Sequence, residues 1–254
     1  MTEPADRRVS TGSLPALPVV DELLDEAYRR FRDLADGRPS NVYPALERAD
    51  PALFGICVAT VGFVPGPDHE ARWEALRDGL SRFAGRDLAL DEETFESASA
   101  TNHRNRALAQ LLASLGALTS EPMETLDLYT RQSCLAVTAR DLATMGATLG
   151  NGGVNPHTGV RVVSAESCRY ALTVMTTAGL YETSGDWLYE VGLPGKSGIG
   201  GGIVTVSPGK GGLGVFSPPL DEAGNSVRGQ RVAAYLSSRL GLDLFASSAY
   251  DAAS

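Results

Sequence analysis

The run Gly195-Lys-Ser-Gly-Ile-Gly-Gly-Gly202 brings an amine, a hydroxyl and a backbone nearly free of side chains into one short stretch. Such a run could cradle a phosphate, or present backbone N–H groups and an amine to a reacting carbonyl. The phosphate reading fails on spacing. In Gly-x-x-x-x-Gly-Lys-Ser the first glycine would fall on Glu190, and a phosphate cradle opens a helix, whereas this segment enters a strand. Gly198-Ile-Gly-Gly-Gly202 also lacks the dinucleotide fingerprint and its context. The same glycines could serve only a bulged strand or a close backbone approach. Taken alone, these residues leave both readings open.

Other reactive residues narrow the field. Cys57, Cys134 and Cys168 are odd in number and widely spaced, which suits buried free thiols rather than a disulfide or metal site. His69, His103 and His157 stand apart, so no protein-built metal site is expected. A net charge of −9 and a pI near 4.9 argue against a nucleic-acid partner, which needs clustered Lys and Arg. No apolar run approaches membrane-span length. Met1–Pro18 carries acids and prolines where a secretion signal would be basic and then apolar, so the expected address is cytoplasmic.

The elements that must position these residues follow from periodicity. Helices are expected over Val19–Gly37, Ala71–Phe83, Arg104–Leu115, Met123–Leu135, Ala139–Leu149, Ala165–Ala178 and Val227–Leu240. A capping box from Thr138 to Asp141 opens the fifth of these. Strands are expected at Leu53–Val61, Trp187–Val191, Gly202–Val206 and Leu213–Phe216, with a hairpin turn at Gly209–Gly212. This order predicts an α+β chain: an antiparallel sheet built from both ends, flanked by helices, with a helical subdomain inserted. Residues 1–18 would be a flexible tail and 19–254 one domain. Its helical part would span about 68–180, and its sheet part about 50–62 plus 185–245.

Six motifs then occur in one order. They are Ser97–Ala107 with Arg-Asn-Arg-Ala at its end, Leu126-Asp-Leu-Tyr-Thr-Arg-Gln-Ser-Cys134, Leu149-Gly-Asn-Gly-Gly-Val-Asn-Pro156, Gly179-Leu-Tyr-Glu-Thr-Ser-Gly185, Lys196–Gly202, and Phe216-Ser-Pro-Pro-Leu220 with Gly224-Asn-Ser-Val-Arg-Gly229. In this register the chain resembles the serine-dependent glutaminases over roughly Ala35–Phe245. The resemblance implies a β-lactamase/transpeptidase-like fold and hydrolysis of L-glutamine to L-glutamate and ammonia. It implies no cofactor and no metal. By the same resemblance, Asn105 and Tyr129 match residues that hold the amino-acid backbone of the substrate. Tyr181 matches a tyrosine beside the reacting amide with a proton-transfer role. Ile199 stands where the family usually has valine, and its backbone N–H resembles an oxyanion-hole donor, a group that stabilises the tetrahedral oxyanion by a few kcal/mol.

The departures matter as much. Val42, in Asn41-Val-Tyr-Pro44, occupies the place of an active-site tyrosine. Ala98 occupies the place of a glutamate that meets the substrate ammonium, a charge-assisted contact typically worth about 1.5–3 kcal/mol. In the related acyl-transfer enzymes Lys-Ser-Gly lies beside a nucleophilic serine on a helical Ser-x-x-Lys. The expectation is that this chain contains no Ser-x-x-Lys. The segment bearing it, a second strand and a substrate asparagine would all be missing between Val61 and Val64. No catalytic residue would then be intact except the proton-transfer tyrosine. Loss of the nucleophile helix should expose apolar faces around Leu108–Leu112 and Leu142–Met145.

The resulting expectation is an incomplete glutaminase-like protein, impaired in catalysis, with L-glutamine or L-glutamate as its small-molecule partner and a tendency to homo-oligomerise. The alternatives are a binding or regulatory subunit that joins an intact homologue, and a truncated gene product. A penicillin-interacting protein is set aside because Tyr129 and Tyr181 lie in glutaminase-type contexts.

Overall fold

A computed structural model of the protein describes residues 17–34, 36–40, 42, 44, 67–118 and 120–247. The expected first strand, Leu53–Val61, lies outside the described residues, as do Cys57 and Tyr43.

Among the described residues the core is a three-stranded antiparallel sheet in the order β1-β2-β3. These strands are Gly195–Gly198, Gly202–Ser207 and Gly211–Phe216. Ser197 pairs with Ile203 and Lys196 with Val204, and β2 then pairs along its whole length with β3. All of β2 is buried, because helices cover both faces. The last helix, Val227–Leu240, packs on one face through Gly229, where an added Cβ would lie 3.1 Å from the Ile203 side chain. The helix Ala139–Gly150 packs on the other face, where a Cβ on Gly146 would come within 2.9 Å of Val204. Neighbouring strand residues point to opposite faces, so Ile203 and Val204 each serve one layer.

The glycines of β3 are explained by the same contact. A Cβ on Gly214 would come within 2.2 Å of the Ala139 carbonyl, and one on Gly212 within 2.3 Å of the Ala147 nitrogen. Helix and strand backbones approach too closely for any side chain between them.

Among the described residues the helices in chain order are α1 Leu17–Phe31, α2 His69–Ala84, α3 Glu92–Thr101, α4 His103–Ser114, α5 Pro122–Ser133, α6 Ala139–Gly150, α7 Ala165–Ala178, α8 Ser184–Val191 and α9 Val227–Leu240. The capping box at Thr138 and Asp141 is present in both directions, and Asp141 also accepts two hydrogen bonds from Arg86 at 2.8 and 2.7 Å. Burial alone would raise the Asp141 pKa, but the Arg86 hydrogen bond, the Thr138 N–H and hydroxyl and the Arg86 charge reverse this and hold it at about 2.

Several elements differ from expectation. Trp187–Val191 is helical (α8) and not a strand. Its alternating Trp, Tyr and Val suggested period two, but Tyr189 is exposed while Trp187 and Val191, four apart, are buried. Gly192 then ends the helix in a left-handed conformation. The first helix stops at Phe31, not Gly37. Gly37 instead has φ +88 and lies against Leu220, with which Arg38 forms a β-bridge. α3 was not anticipated; Asp91 caps it by accepting from the Thr94 N–H at 3.0 Å. The expected exposure of apolar faces is met in α4, where Leu108, Leu111 and Leu112 are about half exposed. It is not met in α6, where Leu142 and Met145 are buried against the core.

Candidate active site

β1 carries Lys196 and Ser197 on opposite faces. Ser197, paired with Ile203, is fully buried and donates a hydrogen bond to Asn225 Oδ1 at 2.5 Å. Lys196 stands on the other face, the one covered by α6. Its ammonium lies 4.8 Å from the centroid of the Tyr181 ring.

Tyr181 enters the site through a forced turn. α7 stops at Gly179, where a Cβ would fall 1.7 Å from the Gly195 carbonyl oxygen. The Gly179 carbonyl there accepts from the Ser197 N–H at 3.1 Å. Two residues on, Tyr181 has φ +53, the one non-glycine residue with positive φ among those described. A left-handed L-residue costs about 1–2 kcal/mol, so neighbours must hold it. Ser184 Oγ donates to the Tyr181 carbonyl at 2.9 Å and accepts from the Leu180 N–H at 3.0 Å. Thr183 Oγ1 donates to the Leu180 carbonyl at 2.9 Å.

Burial raises the Tyr181 pKa, and Tyr129 and Glu182 add to the shift, while the Arg104 charge opposes it. The phenol therefore stays protonated at pH 7. The interaction with Tyr129 also places α5 beside this turn. Arg104 brings in the first turn of α4, which carries Asn105 as its next residue. α4 is fastened to α5 where Asn102 Nδ2 donates to Thr130 Oγ1 at 3.1 Å. Asn105 is half-buried and its carboxamide makes no hydrogen bond among the described residues.

Ile199 occupies the turn after β1, which closes with the Gly201 N–H on the Gly198 carbonyl at 2.9 Å. A Cβ on Gly224 would lie 3.7 Å from both the Ile199 and Tyr181 side chains. Tyr181, Ile199 and Lys196 thus converge at one end of β1, with Tyr129 and Arg104 facing them from the helices. A carbonyl bound there would meet an N–H donor, a phenol and an ammonium. Ala98 lies on α3 and is 1% exposed, so its position supplies a buried methyl and no charge. Val42 is exposed, with its N–H on Ser40 Oγ at 3.2 Å.

One expectation requires correction. Ser207-Pro-Gly-Lys210 does match Ser-x-x-Lys, so the chain is not without that string. It forms the β2–β3 turn, not a helix, with the Lys210 N–H on the Ser207 carbonyl at 3.0 Å. Ser207 lies at the far end of β2 from Gly202, roughly five residues at about 3.3 Å each from the Ile199 turn. Lys210 Nζ instead donates to the Gly241 carbonyl at 3.3 Å.

Asn225, Ser197 and Thr183, which join these segments, fall within three of the six motifs, but the sequence assigns none of them a role. Asp221 four residues before Asn225 was the available signal for a polar turn there.

Comparison with known proteins bears on the family and the fold. The family model described as Glutaminase matches residues 59–245. Glutaminase 2 of Yersinia pestis is 46% identical over 318 aligned positions, covering 95% of this chain and 94% of that protein. Glutaminase of Brucella canis (strain ATCC 23365 / NCTC 10854 / RM-666) is 49% identical over 214 positions, covering 82% of this chain and 68% of that protein. Among solved structures, the probable glutaminase ybaS superposes with a TM-score of 0.85 at 32% identity, covering 92% of this chain and 100% of that one. Mglu in its glutamate form gives 0.82 at 30% identity, covering 92% and 71%. The covalent complex of the Bacillus subtilis glutaminase YbgJ with 5-oxo-L-norleucine gives 0.78 at 28% identity, covering 91% and 100%. The motif order, the convergence of Lys196, Tyr181 and Ile199, and these matches together establish that the chain belongs to the glutaminase family and has its β-lactamase-like fold.

Proposed function

We propose that this chain binds L-glutamine and L-glutamate between β1 and the α4–α5 helices, and that it hydrolyses the amide at no more than a trace rate. The reaction requires a nucleophile, a base to activate it and an oxyanion donor. In this reading the Ile199 N–H receives the developing oxyanion and the Tyr181 phenol supplies a proton to the leaving amine. Asn105 and Tyr129 hold the amino-acid end. The first step is the one impaired, because the segment between Val61 and Val64 that would carry the nucleophile is absent.

One observation carries this reading. The alignment with the Yersinia protein runs over 318 positions, yet 95% of this chain of 254 residues is only about 241, which leaves roughly 77 positions unfilled here. The serines near the site do not make good the loss. Ser197 is committed to Asn225, Ser133 Oγ donates to the Tyr129 carbonyl, and Ser207 belongs to a remote turn.

The glutamate form of Mglu and the 5-oxo-L-norleucine complex of YbgJ support the choice of ligand. Purified protein should release ammonia from L-glutamine only at trace rates and bind L-glutamate in the millimolar range or weaker, about −4 kcal/mol. Turnover of roughly 1–10³ per second, lost in Lys196→Ala or Tyr181→Phe, would overturn the impairment. Micromolar calorimetric binding would show that the ammonium partner lost at Ala98 has been replaced.

A second reading is a subunit that joins an intact homologue. It is favoured by the row Leu108, Leu111 and Leu112 on α4 with Leu115 at its C-cap, exposed by 46, 53, 46 and 70%. An apolar helix row of this kind marks an interaction surface more often than a free one.

A further inference from the structure

Asn225 is fully buried, and every polar atom it has is used. Its Oδ1 accepts from Ser197 Oγ at 2.5 Å. Its Nδ2 donates to Thr183 Oγ1 at 2.9 Å and to the Leu180 carbonyl at 3.4 Å. That carbonyl can only accept, which fixes the orientation of the carboxamide. Its main-chain N–H donates to Asp221 Oδ1 at 2.9 Å, and its carbonyl accepts from the Asp221 N–H at 2.9 Å. Asp221 is itself held by Gln230 Nε2 on α9 at 2.8 Å.

The two groups that the carboxamide joins each lie two residues from a reacting group. Ser197 lies two residues before Ile199, whose N–H receives the oxyanion in that reading, and Thr183 lies two residues after Tyr181, whose phenol supplies the proton in it. No backbone hydrogen bond joins the Ile199 turn directly to the Tyr181–Thr183 turn. Gly224, next to Asn225, leaves room for the Ile199 and Tyr181 side chains to meet over it. Resting on the ligand reading above, we propose that Asn225 is a positioning residue: its carboxamide sets the Tyr181 phenol and the Ile199 N–H relative to each other.

The physical basis is the strain at Tyr181. A φ of +53 persists only where surrounding contacts over-determine it. Removing the carboxamide leaves Thr183 and Ser197 without their shared partner, and the Tyr181 turn then rests on the Ser184 and Thr183 hydrogen bonds to its own backbone. Displacement of a reacting group by about 1 Å can cost on the order of 100-fold. The groups facing the Tyr181 phenol are Tyr129, Arg104, Glu182 and Lys196. Its ionisation therefore reports where the ring sits among them.

The test uses the full chain with ¹³C-labelled tyrosine, and the Tyr181 resonance is assigned by its loss in Tyr181→Phe. Asn225→Ala should move the Tyr181 titration back toward the ordinary tyrosine range and weaken L-glutamate binding at least tenfold by calorimetry. Asn155→Ala is the control. Asn155 is equally buried, holds the Arg82 and Phe83 carbonyls at 2.9 and 3.1 Å, and lies outside the site. It should lower the melting temperature and leave both readouts unmoved. If Asn225→Ala does not fold, Ser197→Ala removes the donor to Asn225 Oδ1 and should move both readouts in the same direction. A Tyr181 titration identical to wild type in the folded variant would overturn the proposal, leaving Asn225 with a structural role alone. If wild type fails to bind L-glutamate, the ligand reading falls, and the ligand-free titration still decides the role of Asn225.

Discussion

The Lys196 ammonium lies 4.8 Å from the centre of the Tyr181 ring, which ties the Lys-Ser-Gly strand to the turn after α7. A cation over an aromatic face contributes about 0.5–2 kcal/mol, more as water is excluded. The contact runs on the α6 face of the sheet, while Ser197 and Asn225 join the same two segments on the α9 face. The turn that carries the ring is thus tied to both faces of β1.

Because Tyr181 has φ +53, replacing it by glycine relieves strain that alanine retains. Tyr181→Gly is expected to be more stable than Tyr181→Ala by about 1 kcal/mol. Urea unfolding of the two variants checks this. Equal midpoints would mean that the turn relaxes in alanine.

Gly212→Ala and Gly79→Ala should act in opposite directions. The first drives a Cβ to 2.3 Å from the Ala147 nitrogen, whereas the second meets nothing within 4 Å in the middle of α2. Gly212→Ala should cost about 3 kcal/mol or more through overpacking. Gly79→Ala should add about 0.5–1 kcal/mol of helix propensity. Denaturation midpoints measure both.

Asp141 is held at about 2 from an ordinary 3.8, so its folded-state pKa is depressed. The stability it contributes is complete above pH 3.8, falls as the pH drops toward 2, and is gone below that. The amount is on the order of 2 kcal/mol. Thermal melts of wild type and Asp141→Asn between pH 5 and 2 should converge toward the acid end. Parallel curves would show that other carboxylates carry the acid dependence.

The exposed leucine row on α4 predicts a difference in local stability. Among the helices, α4 should exchange its amides faster than β2, which is buried along its whole length, because local opening follows buried contacts. Hydrogen exchange by mass spectrometry tests this. Slowing confined to α4 on mixing with an intact glutaminase would favour the subunit reading, and equal slow exchange in both elements would oppose it.

Much of the architecture was legible from residue order because it is local. Apolar spacing and caps placed α7 and α9 at their observed limits, and the Thr138–Asp141 capping box is a four-residue interaction needing no tertiary partner. Gly209–Gly212 likewise marked the hairpin. Trp187–Val191 was misread because a short apolar run fits either period, and burial of Trp187 with Val191 decided for helix. Gly37 suits a helix stop by its type alone, while its actual partner, Leu220, is remote in sequence.

The site divides in the same way. The family resemblance that the motifs carry pointed to Asn105, Tyr129, Tyr181 and Ile199, and residue types alone showed that Ala98 and Val42 bring no carboxylate or phenol. Only the folded chain could show that Tyr181 is left-handed, that Lys196 covers its ring, and that Asn225 joins its turn to the Lys-Ser-Gly strand. The Ser207–Lys210 string makes the reverse point, since the spacing is right and the hairpin makes it irrelevant to the site. Residue type and spacing determine which chemical groups the chain possesses. Distance and direction between them depend on long-range packing, here the closure of α6 and α9 over β2, which no local pattern encodes.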